Sequence, residues 1–149
     1  MWQTPKTDWE IKPYVNGLYQ GDWFNIEDYN RIVGNLRYLH AAGQNVYAVL
    51  FSILGMSSAV RNVFPKAADI NALENVLYTL TQNTYVPPTY AGKKTWAGGG
   101  VTPIVDDLNR IEQACADLYA QFNETPLENF IPSDADSLIT SDGNTLMTR

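Results

Sequence analysis

The residue types that most often carry chemistry are few in this chain, and their spacing does not bring them together. Two acidic pairs, Glu27-Asp28 and Asp106-Asp107, are the candidates for general acid and base work. Adjacent carboxylates on a helix start diverge, whereas a hydrolytic pair must face one bond from two sides. His40 and Cys115 are the only residues of their kinds, so no Cys/His zinc set can be assembled, and His40 has no evident nucleophile partner. Ala91-Gly92-Lys93-Lys94-Thr95 imitates the end of a phosphate loop, but Pro87 stands where the first glycine is needed and Lys94 where Ser or Thr would bind the metal. Gly98-Gly99-Gly100 lacks the strand-turn-helix setting of a dinucleotide fingerprint. Asn123-Glu124-Thr125 matches a glycan acceptor but is followed by Pro126. The expectation is therefore no catalytic residue, no metal ligand, no cofactor-binding residue and no cofactor.

The elements that would have to position any site come next. A chain of 149 residues that is 45% hydrophobic and 17% charged fits one globular domain that needs neither disulfides nor metal. The net charge of −6 is uneven, because residues 95 to 149 carry two basic and nine acidic side chains. An acidic surface repels phosphate backbones and anionic lipid, so nucleic acid is not an expected partner. Lys6, Asp8, Glu10 and Lys12 interrupt the stretch where a signal peptide would need an apolar core, which predicts synthesis in a reducing cytoplasm. The longest apolar run, Val46 to Leu54, has nine residues and is too short for membrane insertion.

The strongest pattern is internal repetition. Asp28-Tyr29-Asn30-Arg31-Ile32, Asp69-Ile70-Asn71-Ala72-Leu73 and Asp107-Leu108-Asn109-Arg110-Ile111 align without gaps. Counted from each Asp, positions +1, +4, +8 and +11 are Tyr29, Ile32, Leu36 and Leu39, then Ile70, Leu73, Leu77 and Leu80, then Leu108, Ile111, Cys115 and Leu118. Such steps draw one apolar stripe along a helix. The spacing predicts an all-α fold: a small bundle of three repeated helices at about 25–42, 66–82 and 103–122, within a bundle region 25–122. A short buried helix over Asn45 to Leu54, apolar nearly all round, would be its fourth piece.

Asn25 suits the first N-cap with Asp28 at N3, and Gly43 is placed to end that helix. Pro65 and Pro103 suit N1 of the other two, with Thr102 as a cap and Phe64 as a poor one. The repeated Asp complements the helix dipole. Asn30, Asn71 and Asn109 sit beside the stripe, where a half-buried amide needs partners, and the backbone of a neighbouring connection is the simplest source.

Residues 1–24 hold Trp2, Trp9, Tyr14, Tyr19 and Trp23 among prolines and glycines, which predicts an extended aromatic arm. Trp2, Trp9 and Tyr14 are expected to contact another subunit, and Trp23 and Trp96 to close the core. In the acidic segment 123–149, Ser137-Leu138-Ile139-Thr140 and Thr145-Leu146-Met147-Thr148 flank Ser141-Asp142-Gly143-Asn144 as a C-terminal β-hairpin. Its Leu138, Ile139, Leu146 and Met147 are expected to meet a partner by strand addition.

Lys6-Thr7-Asp8-Trp9, Phe24-Asn25-Ile26-Glu27-Asp28-Tyr29-Asn30-Arg31-Ile32, Lys94-Thr95-Trp96 and Asp107-Leu108-Asn109-Arg110-Ile111-Glu112 together resemble a group of small tail-associated structural proteins of bacteriophages and prophages of Gram-positive bacteria. The resemblance spans roughly residues 4–40 and 93–122. Ala72 departs from it, and residues 123–149 lie outside it. It implies a non-enzymatic virion component of tail, baseplate or fibre, made in the host cytoplasm and docked to identical subunits and other virion proteins through its terminal arms. The rival reading is a carbohydrate-binding module that stacks aromatic rings on a host surface glycan. A small cell-wall hydrolase ranks third.

Overall fold

The computed structural model describes residues 1–60, 65–99 and 103–124. It is mostly helical. A two-stranded antiparallel hairpin, β1 (Tyr14–Val15) and β2 (Leu18–Tyr19), precedes three helices: α1 (Ile26–Val46), α2 (Ala67–Asn83) and α3 (Val105–Glu124).

The repeated aspartate is the third residue of each helix. Asn25 caps α1, its Oδ1 accepting the Asp28 N–H at 2.9 Å while Asp28 Oδ2 accepts the Asn25 N–H at 3.1 Å. Asp69 accepts the Lys66 N–H at 2.7 Å and Asp107 the Ile104 N–H at 3.0 Å. The Asp thus supplies the returning half of a capping box at all three starts, even where the residue before the helix has no capping oxygen. Pro65 and Pro103 lie just before these turns and not at N1, because Lys66 and Ile104 are the residues whose carbonyls accept the first helical bonds.

All twelve stripe positions are buried, and all of them but Leu108 join Val33, Val76, Ala114 and Phe122 in one core. The helices run parallel. Arg31, near the start of α1, pairs with Glu112 in the second turn of α3, and at the other end a methyl built on Gly43 would lie 3.2 Å from the Phe122 ring and 3.0 Å from Thr84 Cγ2. Gly43 does not terminate α1. It lies inside it, where the missing Cβ lets three helix ends approach one another.

Parallel helices require connections that run back along them, and the described parts of these form three straps: residues 1–25, 47–60 and 84–99. The first strap ties Gln3 to Asn35 of α1 and Trp9 to Asn109 of α3. The third ties Trp96 to Asn71 of α2 and offers the Gly92 carbonyl to Arg110 of α3.

The second strap replaces the short helix expected over Asn45 to Leu54. α1 itself continues to Val46, Ala48 turns the chain at φ +50°, and from there to Val60 the chain forms neither helix nor strand. Gln44 holds it, its carbonyl accepting the Val49 N–H and its Oε1 the Phe51 N–H, and His40 Nε2 lies 2.6 Å from the Phe51 carbonyl oxygen. Val49, Phe51 and Ile53 face inward while Leu50, Ser52 and Leu54 face outward. A continuous apolar run fits either period, and here the two-residue period of an extended chain holds.

Candidate interaction surface

The charged residues nearest the core form two similar networks. Glu112, 1% exposed, uses both oxygens: Oε1 accepts from the Lys6 amide at 3.0 Å and Arg31 Nε at 2.9 Å, and Oε2 from Trp9 Nε1 at 2.7 Å and Arg31 Nη2 at 2.6 Å. Glu74 accepts from Arg110 Nη1 at 2.9 Å, from Arg110 Nη2 at 2.5 Å and from Trp96 Nε1 at 3.3 Å. A lysine lies over each indole, Lys6 at 5.3 Å and Lys94 at 5.8 Å from the ring centroid. Each carboxylate offsets the cost of burying its arginine.

Asp107 completes the second network. Burial would raise its pKa, but the Ile104 amide, Lys94 at 2.6 Å and Arg110 outweigh that and hold the carboxyl below the ordinary range. Burial pushes the Cys115 thiol well above its usual value, which leaves it unreactive at neutral pH. Among the described residues no group of His, Cys, Asp and Glu is placed to hold a metal ion. No described helix is long and apolar enough to cross a membrane.

The three repeated asparagines act as backbone clamps. Asn109 donates to the Trp9 carbonyl at 2.9 Å and accepts the Trp9 N–H at 2.8 Å. Asn71 does the same for Trp96 and Asn30 for Ala59, at 2.7 to 3.0 Å. Each amide satisfies both polar groups of one strap residue.

The expected partner contacts divide accordingly. Trp9, 4% exposed, is buried within its own chain, and Trp2 stacks on Tyr119 with centroids 4.0 Å apart and planes at 6°. Both were expected at an interface with another subunit; the burial of Trp9 rules it out of one, whereas Trp2 is only half-buried. The correction has a physical cause: Asn35, Asn109 and Glu112 provide the hydrogen bonds that draw this strap onto the helices. Trp96 packs against the core as expected, whereas Trp23, expected to close it, is 68% exposed. Tyr14 is also 68% exposed. Leu138, Ile139, Leu146 and Met147, with the C-terminal hairpin, lie outside the described residues.

Tyr14 belongs to an apolar projection that the sequence reading did not resolve. Tyr14 pairs with Tyr19 and Val15 with Leu18 across a turn in which Asn16 and Gly17 have φ of +51° and +79°, as the tight mirror-image hairpin turn requires. The Asn-Gly dipeptide between two apolar pairs was the available signal. Asp22 accepts the Glu10 N–H at 2.8 Å and donates its own N–H to the Glu10 carbonyl, which ties the base of the hairpin. Tyr19 lies against Gly21, where a Cβ would come within 2.5 Å of the ring, so only glycine permits the fold-back. Tyr14, Tyr19 and Trp23 form a chain of rings with centroids 5.4 and 5.1 Å apart and planes at 50° and 81°.

A second apolar surface follows the outward side of the second strap, where Leu50 is 89%, Leu54 81% and Val60 61% exposed. A cleft of about 240 Å³ bounded by Ser52, Leu54 and Val76 and a smaller one of about 110 Å³ beside Ala59 flank this strap. Against these two surfaces, comparison with known proteins adds no further assignment: no family model, no curated protein and no solved structure matches the chain.

Proposed function

We propose that this chain is a non-enzymatic structural component of a bacteriophage virion, of tail, baseplate or fibre, that docks to identical subunits and to other virion proteins. The observation that carries the reading is the apolar hairpin from Ile11 to Trp23, exposed on a core whose buried carboxylates, among the described residues, are engaged internally. A contiguous apolar projection of this kind needs a partner surface. The rigid body behind it is a helical bundle descended from three copies of one strap-and-helix unit, as the matching aspartate starts, asparagine clamps and arginine-glutamate networks suggest.

The tilt of the three rings supports a protein partner over a sugar. A glycan needs a flat platform, and rings at 50° and 81° to each other offer edges as well as faces. Docking through the N-terminal region then falls to Tyr14 and Trp23, with Trp2 and Trp9 holding the strap in place. The acidic segment 123–149 remains the second expected contact, and the bacterial cytoplasm the place of synthesis before assembly into the tail.

The test is composition. Particles purified from a host that makes this chain should contain it at a fixed ratio to the other tail proteins. Tyr14→Ser with Trp23→Ser should remove it from particles while leaving the helical circular dichroism unchanged. Absence of the native chain from particles would overturn the reading, as would reproducible turnover of peptidoglycan by the purified protein.

A further inference from the structure

The threefold repeat makes the outward faces of the helices comparable, each lying between two straps, and the chemistry of two of them is opposite. α3 presents Asp106, Asp117 and Glu124, with the small side chains of Ala116 and Ala120 among them. Among the described residues none of these three carboxylates has a cationic partner, and Asp117 accepts only from Thr89 and Gln113. α2 presents no charge of its own, since its two carboxylates serve the helix start and the Arg110 network. What lies across that face is Lys93, its Nζ 2.8 Å from Asn75 Oδ1 and 5.1 Å from the centre of the Tyr78 ring.

The other cations sharpen the contrast. Of ten Lys and Arg residues, Arg61 and Arg149 lie outside the described residues. Lys6, Lys12, Arg31, Lys94 and Arg110 each pair with a carboxylate. Arg37, Lys66 and Lys93 pair with none among the described residues, and Arg37 reaches Ser58 Oγ and the Met56 carbonyl of the second strap instead. The unpaired cations therefore border the second strap. Between α1, which carries Arg37, and α2, which Lys93 overlies, that strap turns Leu50 and Leu54 outward, 89% and 81% exposed. Beside this ridge is the cleft of about 240 Å³ bounded by Ser52, Leu54 and Val76.

The two surfaces do not meet within one molecule. Each helix packs on the other two, and the second strap lies in the α1–α2 seam, bonded to Tyr29, Asn30 and His40 on one side and with Gly55 against Ala72 on the other. That puts α3 on the far side of the bundle. An acidic face of small side chains and a cationic face with an apolar ridge are complementary in charge and in relief.

We infer that the second strap of one copy docks on the outward face of α3 of the next, Leu50 and Leu54 lying over Ala116 and Ala120 while Lys93 and Arg37 face Asp117 and Glu124. The contact is head-to-tail, because ridge and helix are different surfaces, and such contacts propagate into rings or filaments. It rests on the proposed docking to identical subunits and leaves the N-terminal hairpin for another virion protein.

The experiment uses the full chain in solution, followed by sedimentation velocity over a range of concentrations. The native protein should self-associate beyond a dimer, and high salt should weaken that association about 10-fold. Two charge-reversed variants test the pairing: Arg37→Glu with Lys93→Glu beside the ridge, and Asp117→Lys with Glu124→Lys on the helix. Each should stay monomeric with its helical circular dichroism unchanged. Their equimolar mixture should assemble again, because the reversed ridge of one matches the reversed helix of the other and the two native faces still match. Rescue by mixing separates a direct contact from a loss of fold. Lys93→Ala removes one exposed pair and should weaken native association about 2- to 5-fold.

A native protein that stays monomeric at its highest soluble concentration would overturn the inference, as would a reversed variant that assembles like the native chain or a mixture that stays monomeric. If Asp117→Lys disturbs the helix, Ala120→Arg, at an exposed position of the same face, takes its place and must block association. Particle composition is read separately, so a chain that is monomeric yet present in virions would sink this contact and leave the virion role standing.

Discussion

In the α3–α1 seam a guanidinium, a carboxylate and an indole lock the strap to both helices, whereas the α1–α2 seam has Ala72, Val33 and Ala59 at those positions. The two seams share the asparagine clamp, the aspartate start and the apolar stripe. What differs is the buried charge, and it differs as a set. An arginine without its glutamate, or a glutamate without its arginine, would strand an ion away from water at a cost of several kcal/mol. A seam without either needs only apolar contact. The comparison teaches that the network is a closed unit, present whole or missing whole, and that its removal leaves a seam able to hold the fold while exposing an apolar strap.

The largest expected effect comes from opening a closed network. Glu74→Ala leaves Arg110 buried without its main counter-charge and should lower stability by about 3–5 kcal/mol in urea titration. Glu74→Val with Arg110→Ala imitates the α1–α2 seam and should cost less than the sum of the single changes, by about 0.5–3 kcal/mol. Strict additivity would break the comparison.

The clamps, common to both kinds of seam, come next. Asn109→Ala, Asn71→Ala and Asn30→Ala each leave one strap residue's N–H and C=O without a partner, at about 1–3 kcal/mol apiece. Hydrogen exchange at Trp9, Trp96 or Ala59 should then quicken while the helices keep their protection. Unchanged exchange at those three amides would mean that side-chain packing alone retains the straps.

The smallest effect sharpens the picture of the third strap. Among the described residues the Tyr90 hydroxyl has no partner, and burial, aided by Glu74, pushes its pKa up to about 12. Below the ordinary value near 10 both folded and unfolded chains keep the phenol neutral. Between there and about 12 only the unfolded chain ionises, so stability falls as pH rises through that window. Tyr90→Phe should be neutral or stabilising by up to ~1 kcal/mol at pH 7 and should flatten the alkaline decline. An identical decline in both proteins would place its origin elsewhere.

The helices were legible because a stripe at steps of three and four is a local pattern, and the aspartate and asparagine were legible because they recur at fixed offsets from it. The straps were not. Val46 to Leu54 is apolar at every position but one, and such a run carries no period of its own; the surface beneath it decided that Phe51 turns inward and Leu50 outward. Trp9 was read as reaching for a neighbour because its binding groups, Asn109 and Glu112, lie a hundred residues away. The hairpin carries a local signal in Asn16-Gly17, set between two apolar pairs.

The first strap closes on the last helix, with Lys6 bonded to Glu112 and Trp9 to Asn109. During synthesis, therefore, this strap must wait for α3, whose Asn109 lies 100 residues after Trp9, before it has a groove to occupy. The entropy of closing so long a loop is met late, and contacts so distant in sequence slow folding. A rearranged gene that starts at residue 26 and appends the present first strap after α3 would place that strap next to its helix in time as well as in space.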